Sequence, residues 1–135
     1  AVGLAQLERF ESIVEKKIII SNWYKEKLGD CKGIIQKPLC LNLVKHSNWL
    51  FTIILDESID KDLVIKNLFG FGIEARRVFY PLNVMPPYNK FKSSKSLVNS
   101  KYISDNGLSL PSSVNLQKND IAYIVRCLKK ILSIY

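Results

Sequence analysis

The sequence lacks any long hydrophobic run. Its longest nearly continuous apolar stretch runs only from Trp49 to Leu55, whereas a membrane-spanning helix needs about 20 apolar residues. The chain also opens without the basic segment, apolar segment and small-residue cleavage site of a secretory signal. These absences predict a soluble protein with no membrane partner.

Cysteine and histidine are also scarce, with three and one in the chain. Cys31, Cys40 and Cys127 have no C-x-x-C spacing, so neither a disulfide framework nor a structural metal site is indicated. Reduced, mostly buried thiols in a cytoplasmic protein are the better interpretation. The single histidine, His46, has no marked cysteine partner for nucleophilic catalysis and is predicted to lie in a surface loop.

Arginine is rare among the basic residues. The chain carries 20 Lys and Arg against 12 Asp and Glu, a formal net charge of +8, and such an excess favours nucleic acid through counterion release. Only four of the basic residues are Arg, the side chain whose planar fork suits phosphate and base edges. The lysines occur in small, scattered groups. A solvated surface is therefore predicted, without a nucleic-acid partner.

The chain does contain enough apolar residues for one domain. Its 135 residues are 47% apolar and should bury about two-thirds of the surface that the unfolded chain exposes. It has no G-x-S-x-G, H-E-x-x-H, P-loop or G-x-G-x-x-G motif and no convincing pair of titratable groups. We therefore predict no catalytic, cofactor-binding or metal-ligating residue. Because a helical pattern is already under way at Ala1, we expect a piece of a longer protein.

Hydrophobic periodicity predicts most of the elements. Apolar residues at three- and four-residue steps predict a long amphipathic helix over 1–29, stopped by Gly29, of the kind that joins two domains; the apolar positions are Leu4, Leu7, Phe10, Val14 and Ile18. Three further elements are predicted after this helix. They are a strand over Trp49–Leu55, a helix capped by Asp60 and ending at Gly70, and a strand over Ile73–Phe79.

The second half is less regular. Three prolines in Tyr80–Tyr88, here called the proline loop, predict a stiff, extended segment. A weak helix over Ser94–Asp105 and a C-terminal helix come next, the latter capped by Asn115 or Gln117, with Asn115 preferred. This order of elements predicts an α+β fold: a single domain over 1–135 with a small, mainly antiparallel sheet and helices packed mainly on one face.

One cluster, from Arg76 to Tyr88, has functional character. A strand end followed by a proline-stiffened loop presents Arg, Tyr and Asn side chains at fixed positions, which suits a carboxylate, a phosphate or a sugar hydroxyl. The alternative is structural: the prolines only stiffen a crossover while Phe79 and Tyr80 belong to the core. The residues alone favour neither.

At this cluster the sequence resembles the DegT/StrS-type sugar aminotransferases. The run 72–88, G-I-E-A-R-R-V-F-Y-P-L-N-V-M-P-P-Y, is similar to the family signature G-I-E-T-R-P-V-F-Y-P-L-H-x-x-P-P-Y. The segments 3–8, G-L-A-Q-L-E, and 107–113, G-L-S-L-P-S-S, resemble two further family blocks in the same order. The resemblance covers nearly the whole chain.

The resemblance implies a pyridoxal-phosphate enzyme of fold type I that moves an amino group from glutamate to a nucleotide-linked keto sugar. It implies a homodimer in which both subunits build each active site. It identifies these residues as the small C-terminal domain, partnered by its own N-terminal domain, which carries the Schiff-base lysine. No cofactor is then expected on this chain alone. The alternative is a stand-alone binding module derived from that domain, without enzyme activity.

The resemblance also implies substrate-binding residues. Arg76 matches the family's Arg and is the candidate for a carboxylate or phosphate. Tyr80 and Tyr88 match family tyrosines and are the candidates to contact sugar hydroxyls or to line the mouth of the site. Asn83 stands where the family has His, so it keeps hydrogen-bonding capacity but cannot titrate. Arg77 replaces the family's Pro, which adds charge and loosens the backbone.

Overall fold

The computed structural model describes residues 2–38, 44, 46–91 and 97–135. In chain order the elements are α1 (Val2–Glu8), α2 (Phe10–Leu28), β1 (Ile34–Gln36), β2 (Phe51–Leu55), α3 (Lys61–Gly70), β3 (Arg76–Arg77), two 3₁₀ helices (Leu82–Val84 and Pro86–Phe91), α4 (Val98–Asn106), β4 (Gly107–Leu110) and α5 (Lys118–Leu132).

The strands form one four-stranded sheet in the order β1-β2-β4-β3, with every neighbouring pair antiparallel. Phe51 pairs with Leu110 and Ile53 with Leu108, so these side chains share one face. Helices α2, α3 and α5 supply most of the other core residues, and the connecting segments add Ile59, Ile73 and Ala75. The predicted α+β class is confirmed.

The opposite face of the sheet is more polar. Thr52 pairs with Ser109, and their hydroxyl oxygens lie 2.9 Å apart. Ile103 of α4 lines a cavity on this side with Thr52 and Ile54. The strand alternation therefore separates an apolar, helix-covered face from a polar one.

Of the two predicted helix caps, the one at the start of α3 is confirmed and the one at the start of α5 is wrong. Asp60 caps α3 as predicted, accepting from the backbone N–H groups of Asp62 and Leu63. The preference for Asn115 as the cap of α5 is wrong. Gln117 holds that position, because the Asp120 carboxylate accepts from the Gln117 backbone N–H over 2.8 Å and so satisfies an amide at the helix start.

The predicted N-terminal helix is divided at Arg9 into α1 and α2. Its apolar positions also have different surroundings: Val14 is buried, whereas Leu4 and Leu7 are 63% and 67% exposed. The face of α2 that meets the core continues from Val14 through Tyr24 to Leu28. The apolar positions in the first three turns of the predicted helix thus lie outside the core.

Two strands were not predicted and one was predicted too long. β1 falls in a stretch that we interpreted as irregular, and β4 in the G-L-S-L-P-S-S block. The predicted strand Ile73–Phe79 shortens to Arg76–Arg77. The proline loop is not simply extended, because 3₁₀ helices begin at Leu82 and Pro86.

Cysteine and histidine lie much as predicted within the described residues. Cys127 is buried, Cys31 is half-buried, and both are free thiols. His46 is exposed in a loop, where its Nδ1 accepts from the Asn48 backbone N–H. Cys40 lies outside the described residues. No helix in the described part of the chain is long and apolar enough to cross a membrane.

Lys17 departs from the predicted solvated lysine surface. Its Nζ donates to the Trp49 carbonyl over 3.0 Å and also to the Ser112 carbonyl, while partial burial lowers the pKa of Lys17. The ammonium group thus joins α2 to the residues before β2 and after β4.

Replacing Lys17 by Met should lower the free energy of unfolding by about 1 kcal/mol, because the Ser112 carbonyl loses a charged donor. Urea denaturation provides the measurement, with Lys66→Met, at an exposed position of α3, as the control. Equal midpoints for the two variants would contradict this role of Lys17.

Candidate functional site

The short edge strand β3 directs two consecutive arginines to opposite faces of the sheet. Arg76 pairs with Ser109 on the polar face, and Arg77 pairs with Leu108 on the face covered by helices. The chain then enters the proline loop, where Pro81 holds a φ of −60°. The loop and α4 flank the clefts described next.

Arg76 is held loosely. Its guanidinium donates from Nη2 to Glu74 Oε1 over 2.8 Å and from Nε over 3.2 Å. The two side chains are 73% and 69% exposed, and such exposed pairs are weak. Arg76 can therefore exchange Glu74 for a ligand carboxylate or phosphate at little cost.

Arg77 and Tyr80 lie together in a second environment. Arg77 Nη2 is 2.7 Å from Asp62 Oδ2, and its Nη1 donates to the Tyr80 hydroxyl over 3.2 Å. These contacts raise the pKa of Arg77, chiefly through the hydrogen bond to Tyr80 and then through Asp62. Both residues line a cleft of about 380 Å³ with Asp62, Ser104 and others, here called the Arg77 cleft.

Asn83 lies in a neighbouring cleft of about 560 Å³, here called the Asn83 cleft, with Pro81, Val84, Leu97 and Tyr102 among its walls. Its Oδ1 atom is buried and has no hydrogen-bond partner in the part of the chain that the structure describes. A buried acceptor without a donor is costly. The Asn83 cleft therefore suits a ligand that donates an O–H or N–H.

The predicted site residues are only partly brought together. Tyr80 and Asn83 line separate clefts, which share the walls Glu57, Asp105 and Asn106. Arg76 lies on the other sheet face, and Tyr88 is 43% exposed in the second 3₁₀ helix. The shared wall residues were missed, because they come from the turn before α3 and the end of α4 and belong to no recognisable motif.

Exposed apolar side chains surround this region. Trp49 stacks on Phe79 with ring centroids 6.1 Å apart. The exposed apolar residues in and beside the proline loop are Phe79, Tyr80, Leu82, Val84, Tyr88, Phe91, Leu97 and Val98. Such a concentration of exposed apolar side chains on neighbouring segments is typical of a contact with another domain or chain.

Each of the two clefts has one lysine on its wall, the residue type that could bond pyridoxal phosphate. Lys61, in the Arg77 cleft, donates to the Ser104 carbonyl over 2.6 Å. Lys101, in the Asn83 cleft, is paired with Asp105. Both amines thus already have a partner on the wall of their cleft. Within the described ranges, no group of three or more His, Cys, Asp or Glu side chains is arranged to hold a metal ion.

Comparison with known proteins identifies relatives of the chain. A model described as the DegT/DnrJ/EryC1/StrS aminotransferase family matches residues 1–129. The GDP-perosamine synthase of Caulobacter vibrioides is 34% identical over 134 residues, covering 98% of this chain and 36% of that protein. The GDP-perosamine synthase of Vibrio cholerae is 32% identical over 131 residues, covering 96% and 35%. The chain spans about a third of the length of these relatives.

Solved structures share the fold. Helicobacter pylori PseC, an aminotransferase involved in the biosynthesis of pseudoaminic acid, matches with a TM-score of 0.87 at 21% identity, covering 98% of this chain and 36% of that one. The aminotransferase TlmJ from Streptoalloteichus hindustanus matches with a TM-score of 0.84 at 21% identity, covering 98% and 35%. The matched part is again about a third of each protein.

Proposed function

Because the chain belongs to the DegT/DnrJ/EryC1/StrS aminotransferase family, we propose that it is the substrate-facing, C-terminal small domain of a cytoplasmic pyridoxal-phosphate aminotransferase. The whole enzyme transfers an amino group from glutamate to a nucleotide-linked keto sugar. This domain contributes binding residues and is not catalytic alone, since the cofactor supplies the electron-sink chemistry and its lysine anchor lies in the larger domain.

The exposed apolar surface around the proline loop carries this proposal. It lies beside the two clefts, so that a covering domain would enclose the polar groups that the clefts present. Leu4 and Leu7 of α1 are exposed apolar side chains as well. The N-terminal domain of the same polypeptide and a second subunit are the proposed occupants, which accords with a chain that spans about a third of its relatives.

The stand-alone module is less well supported. A domain that had lost its large partner should have replaced the apolar side chains of the former interface, because large exposed apolar patches are rare on soluble monomers. Phe79, Leu82 and Phe91 remain exposed and apolar. Their retention favours a domain that still docks against the rest of an enzyme.

Arg76 provides the test of the proposed binding role. In the complete enzyme, Arg76→Ala should raise KM by roughly ten- to thirtyfold for one substrate, because charge-assisted hydrogen bonds are lost. A rise for glutamate assigns Arg76 to its carboxylate, and a rise for the nucleotide-sugar assigns it to a phosphate. Steady-state kinetics with each substrate varied in turn measures both.

Glu74→Gln is the matched control. Because it removes the carboxylate that competes for Arg76 without removing the guanidinium, KM should stay the same or fall. Unchanged KM values for both substrates in Arg76→Ala would count against a substrate-binding role for this residue.

A further inference from the structure

Arg77 joins the proline loop to the first turn of α3. Its guanidinium contacts the Asp62 carboxylate at 2.7 Å and donates to the Tyr80 hydroxyl at 3.2 Å. Asp62 is itself anchored, because its backbone N–H donates to the capping carboxylate of Asp60 over 2.9 Å. The bridge therefore links the Tyr80 hydroxyl, through Arg77, to the start of α3.

The direction of the second hydrogen bond constrains Tyr80. A guanidinium has N–H donors and no acceptor, so the Tyr80 oxygen accepts in this contact. The phenolic proton of Tyr80 is left to point at a different acceptor. Arg77 thus holds Tyr80 as a hydrogen-bond donor.

The charges that line the Arg77 cleft indicate which kind of ligand group can accept the Tyr80 proton. The described side chains that line it are acidic at Glu57, Asp60, Asp62 and Asp105 and basic at Lys61 and Arg77. Groups of both signs have partners, Arg77 with Asp62, Asp105 with Lys101 and Lys61 with the Ser104 carbonyl, and the lining still holds four carboxylates against two cations. A phosphate would meet an excess of carboxylates and be repelled, whereas an uncharged sugar oxygen would not.

We propose that Arg77 is a positioning residue that holds the Tyr80 hydroxyl as a donor to an uncharged oxygen of the hexose, not to the diphosphate of the nucleotide. The inference rests on the proposed function. The family signature that this segment resembles has Pro in place of Arg77, and a proline ring has no donor with which to form the bridge. Because an exposed ion pair adds little to the free energy of unfolding, removal of Arg77 should change substrate binding and not stability.

A ligand-free experiment tests the bridge itself. In the chain labelled with ¹³C at the tyrosine ring carbon that bears the hydroxyl, Arg77→Ala should shift the Tyr80 resonance and leave that of buried Tyr24 in place. Arg126→Ala, which removes a guanidinium stacked on Tyr123, is the control and should not move Tyr80. An unmoved Tyr80 resonance in Arg77→Ala overturns the proposal.

A double-mutant cycle in the complete enzyme tests the ligand. Arg77→Ala and Tyr80→Phe should each weaken nucleotide-hexose binding by about three- to tenfold, the worth of one hydrogen bond. The double variant should be no weaker than Tyr80→Phe, and binding of the nucleoside diphosphate alone should be unchanged.

The outcomes separate the two proposals. Additive losses, or an equal loss of nucleoside diphosphate binding, overturn the positioning role while leaving the sugar-binding function intact. No binding of any nucleotide-hexose by the wild-type enzyme overturns both.

Discussion

Replacing Tyr24 by Ala is expected to lower the free energy of unfolding by about 4 kcal/mol, in the range found when buried aromatic side chains are truncated. Tyr24 is fully buried in α2 and stacks on Phe51 of β2 with ring centroids 4.5 Å apart. Its hydroxyl donates to the Pro111 carbonyl over 2.8 Å. The variant thus loses packing against the sheet and a hydrogen bond to the segment after β4.

Tyr24→Phe separates these two contributions. It keeps the ring and removes only the hydroxyl, so about 1–2 kcal/mol should be lost. Chemical denaturation of both variants, with Tyr135→Phe at an exposed site as the control, gives the comparison. A cost for Tyr24→Ala no larger than that for Tyr24→Phe would contradict the packing role of the ring.

Tyr24 also predicts a dependence of stability on pH. Burial raises the pKa of Tyr24 well above its ordinary value, so the folded state binds this proton more tightly than the unfolded state does. The stabilisation is fully present below about pH 10 and is lost as the pH rises above it. In that alkaline range Tyr24→Phe should lose stability less steeply than the wild type. Parallel curves would argue against the raised pKa.

Gly107→Ala should destabilise the fold by roughly 2–3 kcal/mol, the cost of overpacking a tight site. A Cβ atom at Gly107 would lie 2.4 Å from the Ile103 carbonyl oxygen and 2.6 Å from Val78 Cγ2. The backbone is crowded because α4 ends at Asn106 and β4 begins at the next residue, with no loop between them. Thermal unfolding should show a midpoint lower by about 10 °C.

Gly70→Ala is the matched control for Gly107→Ala. Gly70 is the last residue of α3, and an added Cβ would meet no heavy atom within 4 Å. The substitution should be neutral or stabilise the protein by about 0.4–1 kcal/mol, because it restricts the unfolded chain. Equal stability of the two alanine variants would contradict the prediction that a side chain at position 107 is excluded by crowding.

The elements that the sequence predicted well depend on local signals. α3 has an Asp at its start whose side chain can reach the first amides, and it ends at Gly70, so its bounds follow from residues close in the chain. β1 and β4 are only three and four residues long. Both form because they pair with β2. A segment this short shows no clear hydrophobic periodicity from which such tertiary pairing could be predicted.

The candidate site, too, was predictable only where local sequence signals were sufficient. Motif resemblance selected Arg76, Tyr80, Asn83 and Tyr88, and their roles remain proposals. The alternation of side chains along a strand was a usable signal that Arg76 and Arg77 face opposite ways. The contact of Arg77 with Asp62 was not predictable from local pattern, because it depends on how β3 lies beside the start of α3.

The central claim is that this domain supplies substrate contacts while the cofactor is bound elsewhere in a longer polypeptide. The most direct measurement is the near-visible absorbance during titration with pyridoxal phosphate, made on residues 1–135 and on the polypeptide extended through the preceding domain. We expect a saturable cofactor spectrum, and amino transfer from glutamate to a nucleotide-linked keto sugar, only from the longer protein. A saturable spectrum from residues 1–135 alone would contradict the claim.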